Sequence, residues 1–294
     1  MTLLQAIIMG IIQGMTEFLP VSSSGHLALF KIMFNVNTDT GLLYDVMLHF
    51  ATLIAICIAF YHDIFELVRE GFAILFTWFR NLIIFFKNRF GGGSWEPYEK
   101  VVTNSYRKFV ILILVATVPT GILGVVGSDF VEAASLTLLV PGICLIVTAI
   151  LLFIADRCEG GSKGPAKTSY LNAFEIGMVQ GLATLPGLSR SGSTMTACLL
   201  CGFDKKFAVR FSFIMSIPAV LGAALLQLKD IGDYKIPTGE VPYYIVGMIV
   251  ACIVGYACIK TMLIVIRKRK FTYFAIYCLI VGVVSLGGYF LAGK

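Results

Sequence analysis

Two stretches decide the fold when they are set side by side: GIIQGMTEFLPVSSSGH at residues 10–26 and GMVQGLATLPGLSRSGS at residues 177–193. They align without a gap at an offset of 167, with Gly10/Gly177, Gln13/Gln180, Gly14/Gly181, Ser22/Ser189, Ser24/Ser191 and Gly25/Gly192 identical. The same offset pairs Asp63-Ile64 with Asp230-Ile231. Each stretch breaks an apolar segment with proline, glycine and serine, so neither is a clean membrane span. Two copies of one broken segment imply an internally repeated chain.

The rest of the chain says what is repeated. Of 294 residues, 58% are hydrophobic and only 14% are charged, the composition of a polytopic membrane protein. Runs at 42–61, 108–126, 136–155, 206–228, 243–265 and 272–292 each supply the roughly 20 apolar residues that a helix needs to cross a bilayer. A further apolar stretch, 72–90, is interrupted by Arg80 and Asn81 and ends in Lys87 and Arg89. It reads as an amphipathic helix lying at the interface, followed by a flexible link, GGGSW, at 91–95.

Charge gives direction. Basic residues gather between Arg69 and Lys108, at Arg157, Lys163 and Lys167, and at Arg267–Lys270, whereas 127–134 holds Asp129 and Glu132 with no base and 229–242 is nearly balanced. The positive-inside rule puts the first three segments in the cytoplasm and both termini outside. The net charge of +6 belongs to these loops and forms no soluble basic face, so no nucleic-acid partner is expected. The eight cysteines fall mostly inside apolar runs and read as small hydrophobes; Cys198 and Cys201 lack the further ligands of a zinc set. The N-terminus shows no basic n-region or cleavage site, so a removed signal peptide is not expected.

The segments at about 3–36 and 171–204 must each return to the side they entered from, or the loop assignments fail. The expected fold is therefore an all-α polytopic membrane protein with six full spans and two re-entrant helix hairpins. Residues 1–156 and 171–294 are the two repeats, joined by a cytoplasmic linker at 157–170. A hairpin followed by three spans inverts the second copy, so the tips at 19–26 and 186–193 should meet near the midplane. Inverted repeats with broken helices also occur in transporters. A lipid or anion transporter is thus the rival reading.

Where the repeats diverge, their chemistry is complementary. Glu17 stands opposite Thr184, Ser23 opposite Arg190 and His26 opposite Ser193. Arg190 is a fixed cation whose planar fork suits phosphate oxygens. Ser22, Ser24, Ser189, Ser191 and Thr194, with backbone N–H groups beside Gly25 and Gly192, are anion donors, and a helix restarting after either glycine aims its positive end at the same point. Ser23 is a candidate nucleophile with His26 within one helical turn; Glu17 can orient His26, act as base, or hold a divalent cation. Gln13 either bonds between hairpins or touches a ligand. His49 and His62 lie beside a span without a matching polar cluster and read as structural or interfacial. An S-R-x5-H phosphatase motif fails, because the sixth residue after Arg190 is Thr196.

Glu17-Phe18-Leu19-Pro20-Val21-Ser22-Ser23-Ser24-Gly25-His26 and Pro186-Gly187-Leu188-Ser189-Arg190-Ser191-Gly192-Ser193-Thr194 closely resemble the two signatures of the bacterial undecaprenyl-diphosphate phosphatase family, linked to bacitracin resistance. The resemblance runs over nearly the whole chain. It implies hydrolysis of undecaprenyl diphosphate to the monophosphate and phosphate, recycling the lipid carrier of cell-wall synthesis. It also implies an essential trio of Glu17, His26 and Arg190, Ser23 as candidate nucleophile, and a divalent cation, Mg2+ or Ca2+. That family often carries a second glutamate four residues before Glu17, where this chain has Gln13. The expectations that follow are a bacterial inner (plasma) membrane location, a pocket open to the outer face, membrane-lipid surroundings and a homodimer. Ser23 attacks with His26 or Glu17 as base, or it positions an attacking water.

Overall fold

A computed structural model describes residues 1–34, 36, 41–90, 94–135, 137–227, 239–268 and 270–292. Among these there are twelve α-helices and one 3-10 turn, Pro165–Lys167. The helices are α1 (Leu3–Phe18), α2 (Ser23–Met33), α3 (Gly41–Ala59), α4 (Tyr61–Phe90), α5 (Ser105–Val126), α6 (Ser128–Ser135), α7 (Leu139–Arg157), α8 (Tyr170–Leu182), α9 (Arg190–Leu200), α10 (Lys205–Gln227), α11 (Val241–Arg267) and α12 (Phe271–Ala292). The described residues form no strand, only one isolated bridge between Lys163 and Phe203. Five helices, α5, α7, α10, α11 and α12, are long and apolar enough to cross a membrane. The pair α3–α4, bent by 90°, raises the number to six when counted as one span. The chain is an integral, multi-pass membrane protein. Asp230 and Ile231, the far end of the sequence repeat, lie outside the described residues.

Both repeat stretches are pairs of helices with a break between them. Thr2 opens α1 with a reciprocal capping box to Gln5. The helix runs to Phe18, and Leu19–Ser22 then cross to α2. Ser169 caps α8 through the Asn172 N–H, and Ala183–Ser189 cross to α9. The shared glycines explain why these broken helices stay packed. A Cβ at Gly14 would lie 2.7 Å from the Ala251 carbonyl oxygen, and one at Gly10 would strike the Gly247 carbonyl, so α1 lies backbone-to-backbone on α11. At the matching positions Gly177 lies on the Ala116 carbonyl and Gly181 on the Leu123 side chain, both of α5. Small residues at i and i+4 allow this approach, and close packing is what holds helices together in lipid. Thr120 adds a hydrogen bond of 2.9 Å to the Gly177 carbonyl.

The contacts are exchanged between halves. Helix α1 of the first half rests on α11 of the second, and α8 of the second rests on α5 of the first. The hairpin breaks follow the same rule. Thr148 of α7 donates to the Gly187 carbonyl at 3.1 Å and accepts from the Ser189 N–H at 2.9 Å. Cys278 of α12 donates to the Pro20 carbonyl at 3.6 Å. Helices α7 and α12 pack on each other, with Gly282 so near that a Cβ there would lie 2.9 Å from the Gly142 carbonyl oxygen.

One sequence expectation changes. The amphipathic helix begins at Tyr61, not near residue 72, because YHDIFELVRE contains no breaker and the hydrogen-bond ladder carries on from Phe60 to Ile64 at 2.9 Å. Of the link expected at 91–95, residues 91–93 lie outside the described residues. Beyond it, Glu96 and Glu99 are each held by a two-way amide clasp. Asn88 donates to the Glu96 carbonyl at 2.8 Å and accepts its N–H at 2.9 Å. Asn81 does the same for Glu99 at 2.9 and 2.8 Å. The apolar stripe of α4, including Phe65, Phe72, Phe76, Phe79 and Phe86, stays exposed.

Candidate active site

The two breaks touch each other reciprocally. A Cβ on Gly25 would lie 3.4 Å from Cα of Gly187, and one on Gly192 would lie 3.2 Å from Cβ of Pro20. At the repeat offset Gly25 matches Gly192 and Pro20 matches Gly187, so residue i meets j and its copy meets the copy of j, the signature of a two-fold contact. Ser191 reinforces it with a bond of 3.5 Å to the Leu19 carbonyl.

Glu17 sits at the centre of this junction, 6% exposed. Its Oε1 pairs with the Arg190 guanidinium from the opposite hairpin. Its Oε2 accepts from Ser23 Oγ at 2.7 Å and from Gln13 Nε2 at 3.0 Å. A buried carboxylate needs such partners, because desolvation without them is costly. Gln13 is wholly buried. Its NH2 also donates to His49 Nδ1 at 3.0 Å, and that nitrogen stands 3.5 Å from Glu17 Oε2. Both available acceptors claim the nitrogen end of the amide, so Gln13 Oε1 is left buried without a partner.

His49, read from sequence as structural or interfacial, stands beside Gln13 and Glu17 in the junction. It lies in the middle of α3, and nothing beside it in sequence is polar enough to announce a site. A signal existed nonetheless: at the repeat offset its counterpart is Ser216, the same titratable-to-serine replacement seen at His26 and Ser193. His62 is exposed and edges onto Tyr61.

His26 does not face Ser23. Its Nδ1 bonds the Ser22 carbonyl at 2.7 Å, and its Nε2 bonds the Tyr277 hydroxyl at 2.7 Å. Ser22 alone among described non-glycine residues has a positive φ, 72°, and it gives α2 no side-chain cap. The first-turn N–H groups of α2 are therefore available to an anion. Ser22 Oγ lies 3.4 Å from Ser24 Oγ, and Ser24 is exposed.

The second hairpin is closed by comparison. Ser189 Oγ caps the Gly192 N–H at 3.1 Å, with Ser191 Oγ 3.4 Å away. Thr194 is fully buried, its hydroxyl bonded to the Arg190 carbonyl at 2.8 Å and to Ser212 Oγ at 2.6 Å. Of this hairpin's polar side chains, Arg190 reaches the cluster around Glu17. The junction thus gathers a carboxylate-bonded hydroxyl, a guanidinium, a buried amide, an imidazole and an uncapped helix N-terminus, a set fitted to transfer of a phosphoryl group.

Similarity to known proteins extends over nearly the whole chain. The family described as Bacitracin resistance protein BacA matches residues 6–284. An undecaprenyl-diphosphatase of Halothermothrix orenii is 41% identical over 286 residues, covering 97% of this chain and 98% of that protein. One of Methanosphaera stadtmanae is 37% identical over 284 residues, 97% of each chain. One of Desulforapulum autotrophicum is 33% identical over 293 residues, 99% of this chain and all of that protein.

Proposed function

The chain belongs to the bacitracin resistance protein BacA family, and from that premise we propose that it is a membrane phosphatase converting undecaprenyl diphosphate to undecaprenyl phosphate and phosphate. The observation that carries the reading is the 2.7 Å bond from Ser23 to a Glu17 carboxylate that also pairs with Arg190. Transport alone has no use for a hydroxyl already bonded to a base.

The diphosphate enters between the hairpin breaks, and the prenyl tail stays in lipid. Arg190 and the open N-terminus of α2 hold the terminal phosphoryl oxygens, with Ser24 and the amide of Gly25 at its rim. Ser23 Oγ forms a bond to the terminal phosphorus as the anhydride bond breaks. Its proton passes to Glu17, and undecaprenyl phosphate leaves. Water then opens the phosphoserine, releasing phosphate and restoring the Ser23 hydroxyl. His26 serves beside this pair as a hydrogen-bonding group to the phosphate. Gln13 and His49 orient Glu17, whereas Ser22, Ser189, Ser191, Gly192 and Thr194 shape the junction.

A divalent cation suits the oxygens present. Among the described residues no three His, Cys, Asp or Glu side chains converge. Glu17 and the unpartnered Gln13 Oε1 are nonetheless hard donors of the kind Mg2+ takes, with the diphosphate and water completing its shell. When bound, the ion neutralises phosphoryl charge.

The hairpins are re-entrant from opposite sides and the halves 1–156 and 171–294 are inverted repeats, a reading supported by the exchanged contacts. The six spans then leave both termini outside. The membrane is the plasma membrane and the pocket opens to its outer face, where the diphosphate lipid is released. Phosphate release from undecaprenyl diphosphate by purified protein, with and without chelator, tests the assignment. Metal-dependent release by the parent and none by Ser23→Ala or Arg190→Ala is expected; no release from folded parent across metals and chain lengths rejects it.

A further inference from the structure

One aromatic contact lies outside the machinery just described and bears directly on it. His26 is gripped at both ring nitrogens. A carbonyl can only accept, so the 2.7 Å contact to the Ser22 oxygen places the proton on Nδ1. Neutral His26 then carries its lone pair on Nε2, where Tyr277 approaches at 2.7 Å and its hydroxyl must donate. The two rings also stack, with centroids 5.5 Å apart and planes 14° from parallel.

The tyrosine is not there by chance of an exposed rotamer. The next residue, Cys278, is fully buried and reaches the Pro20 carbonyl in the break of the same hairpin. Helix α12 therefore meets the first hairpin at two successive side chains. It is fixed at its start as well: Asp156 of α7 accepts from the Phe271 N–H at 2.8 Å and from the Thr272 hydroxyl at 2.5 Å. Further along, Gly282 packs on Gly142. A rigid helix of the second half thus delivers one hydroxyl to the imidazole of the first.

We propose that Tyr277 is a positioning residue of the phosphatase: with the Ser22 carbonyl fixing the Nδ1–H tautomer, the Tyr277 hydroxyl donates to Nε2 and fixes the resting orientation of the ring, so that Nε2 is held ready as an acceptor. A water or a protonated phosphate oxygen arriving in the junction displaces the phenol and finds that lone pair already aimed. The inference rests on the phosphatase reading for its effect on rate, but its structural half stands apart. The Ser22 carbonyl holds the ring from behind and Tyr277 holds it at the working nitrogen; partners that orient metal-ligating histidines are worth about 10–100-fold in activity, and a loss at the low end of that range is expected here.

The test uses the full-length protein in detergent. Tyr277→Phe keeps the ring and removes the hydroxyl, whereas Tyr277→Leu removes both. The expected result is a fall in kcat/KM of about 10-fold for Tyr277→Phe, because the hydroxyl acts on the ring before the ligand takes its place. With only three histidines in the chain, 15N-histidine labelling resolves His26, identified by its loss in His26→Gln. The parent should show a protonated Nδ1 and a hydrogen-bonded, unprotonated Nε2, and the Nε2 signal should move in Tyr277→Phe. Parent-like kcat/KM in Tyr277→Phe, with loss only in Tyr277→Leu, would reduce the residue to packing and overturn the proposal. So would a fall in kcat/KM with an unchanged His26 spectrum, or a parent spectrum with the proton on Nε2, a result that needs no variant to fold. A parent that releases no phosphate sinks the enzymatic reading and leaves the nitrogen spectrum to decide the geometry.

Discussion

The two hairpins share one backbone plan and differ in whether their side chains can move a proton. Gln13 and Gln180 occupy matching positions, and both are buried with the amide nitrogen engaged and the carbonyl oxygen unpartnered. Around them the copies diverge: Glu17, His26 and His49 in the first half stand opposite Thr184, Ser193 and Ser216 in the second. Thr184 and Ser216 turn their hydroxyls back onto their own helices, to the carbonyls of Gly181 at 2.8 Å and Phe213 at 2.7 Å. The first hairpin keeps an uncapped helix start and exposed Ser24; the second caps its helix and seals Ser189, Ser191, Ser193 and Thr194. A carboxylate buried in the first half finds its cation in the second. Divergence within a repeat has gathered the titratable side chains in one copy and left their cation and the capped helix start in the other.

That contrast can be broken at several points. Changes at the hydroxyl and its base should be gravest: Ser23→Ala and Glu17→Gln lose about 10³-fold or more in kcat, read as initial phosphate release. Arg190→Lys comes next, at about 10²–10³-fold, since a point charge cannot reproduce the fork that meets both carboxylate and phosphate; a variant within a few-fold of the parent would show that only charge matters. His49→Ala should cost about 10-fold in kcat by loosening Gln13 and Glu17, while its counterpart Ser216→Ala stays within about two-fold. Equal effects at the two positions would erase the distinction between the halves.

The smallest effects concern the helix starts and appear in stability rather than turnover. Ser189→Ala removes a working cap and should lower unfolding stability by about 1 kcal/mol. Ser22→Gly should raise it by about 0.5–1 kcal/mol, because glycine tolerates a positive φ that serine does not. Thermal unfolding in one detergent compares the two, and the opposite order of midpoints would contradict the assignment of cap and strain.

The broken segments, five of the six expected spans and several residues at the junction left a local trace: an apolar run, a proline-glycine-serine break, or a repeat identity; the run at 42–61 folds as α3, which counts toward a span only together with the bent α4. Glu17 and Arg190 are 173 residues apart, yet the repeat places them at matching breaks. His49 and Tyr277 left no local trace. Each lies in an apolar helix, and its role depends on which face that helix turns toward the hairpin, a property of packing that no period in the sequence records. For His49 the repeat offset held the clue; for Tyr277 nothing did. The early start of α4 was hidden by charged residues that lie along one face without ending the helix, and the grip of Asn81 and Asn88 on Glu99 and Glu96 was masked by an adjoining glycine run.

The most direct test of the central claim is rapid-quench mass spectrometry of the intact protein after mixing with undecaprenyl diphosphate. The account predicts a transient phosphate on Ser23 that forms in the parent, decays as free phosphate appears, and fails to form in Glu17→Gln. Burst release of phosphate with no modification of Ser23 at any time would contradict it and make water the nucleophile.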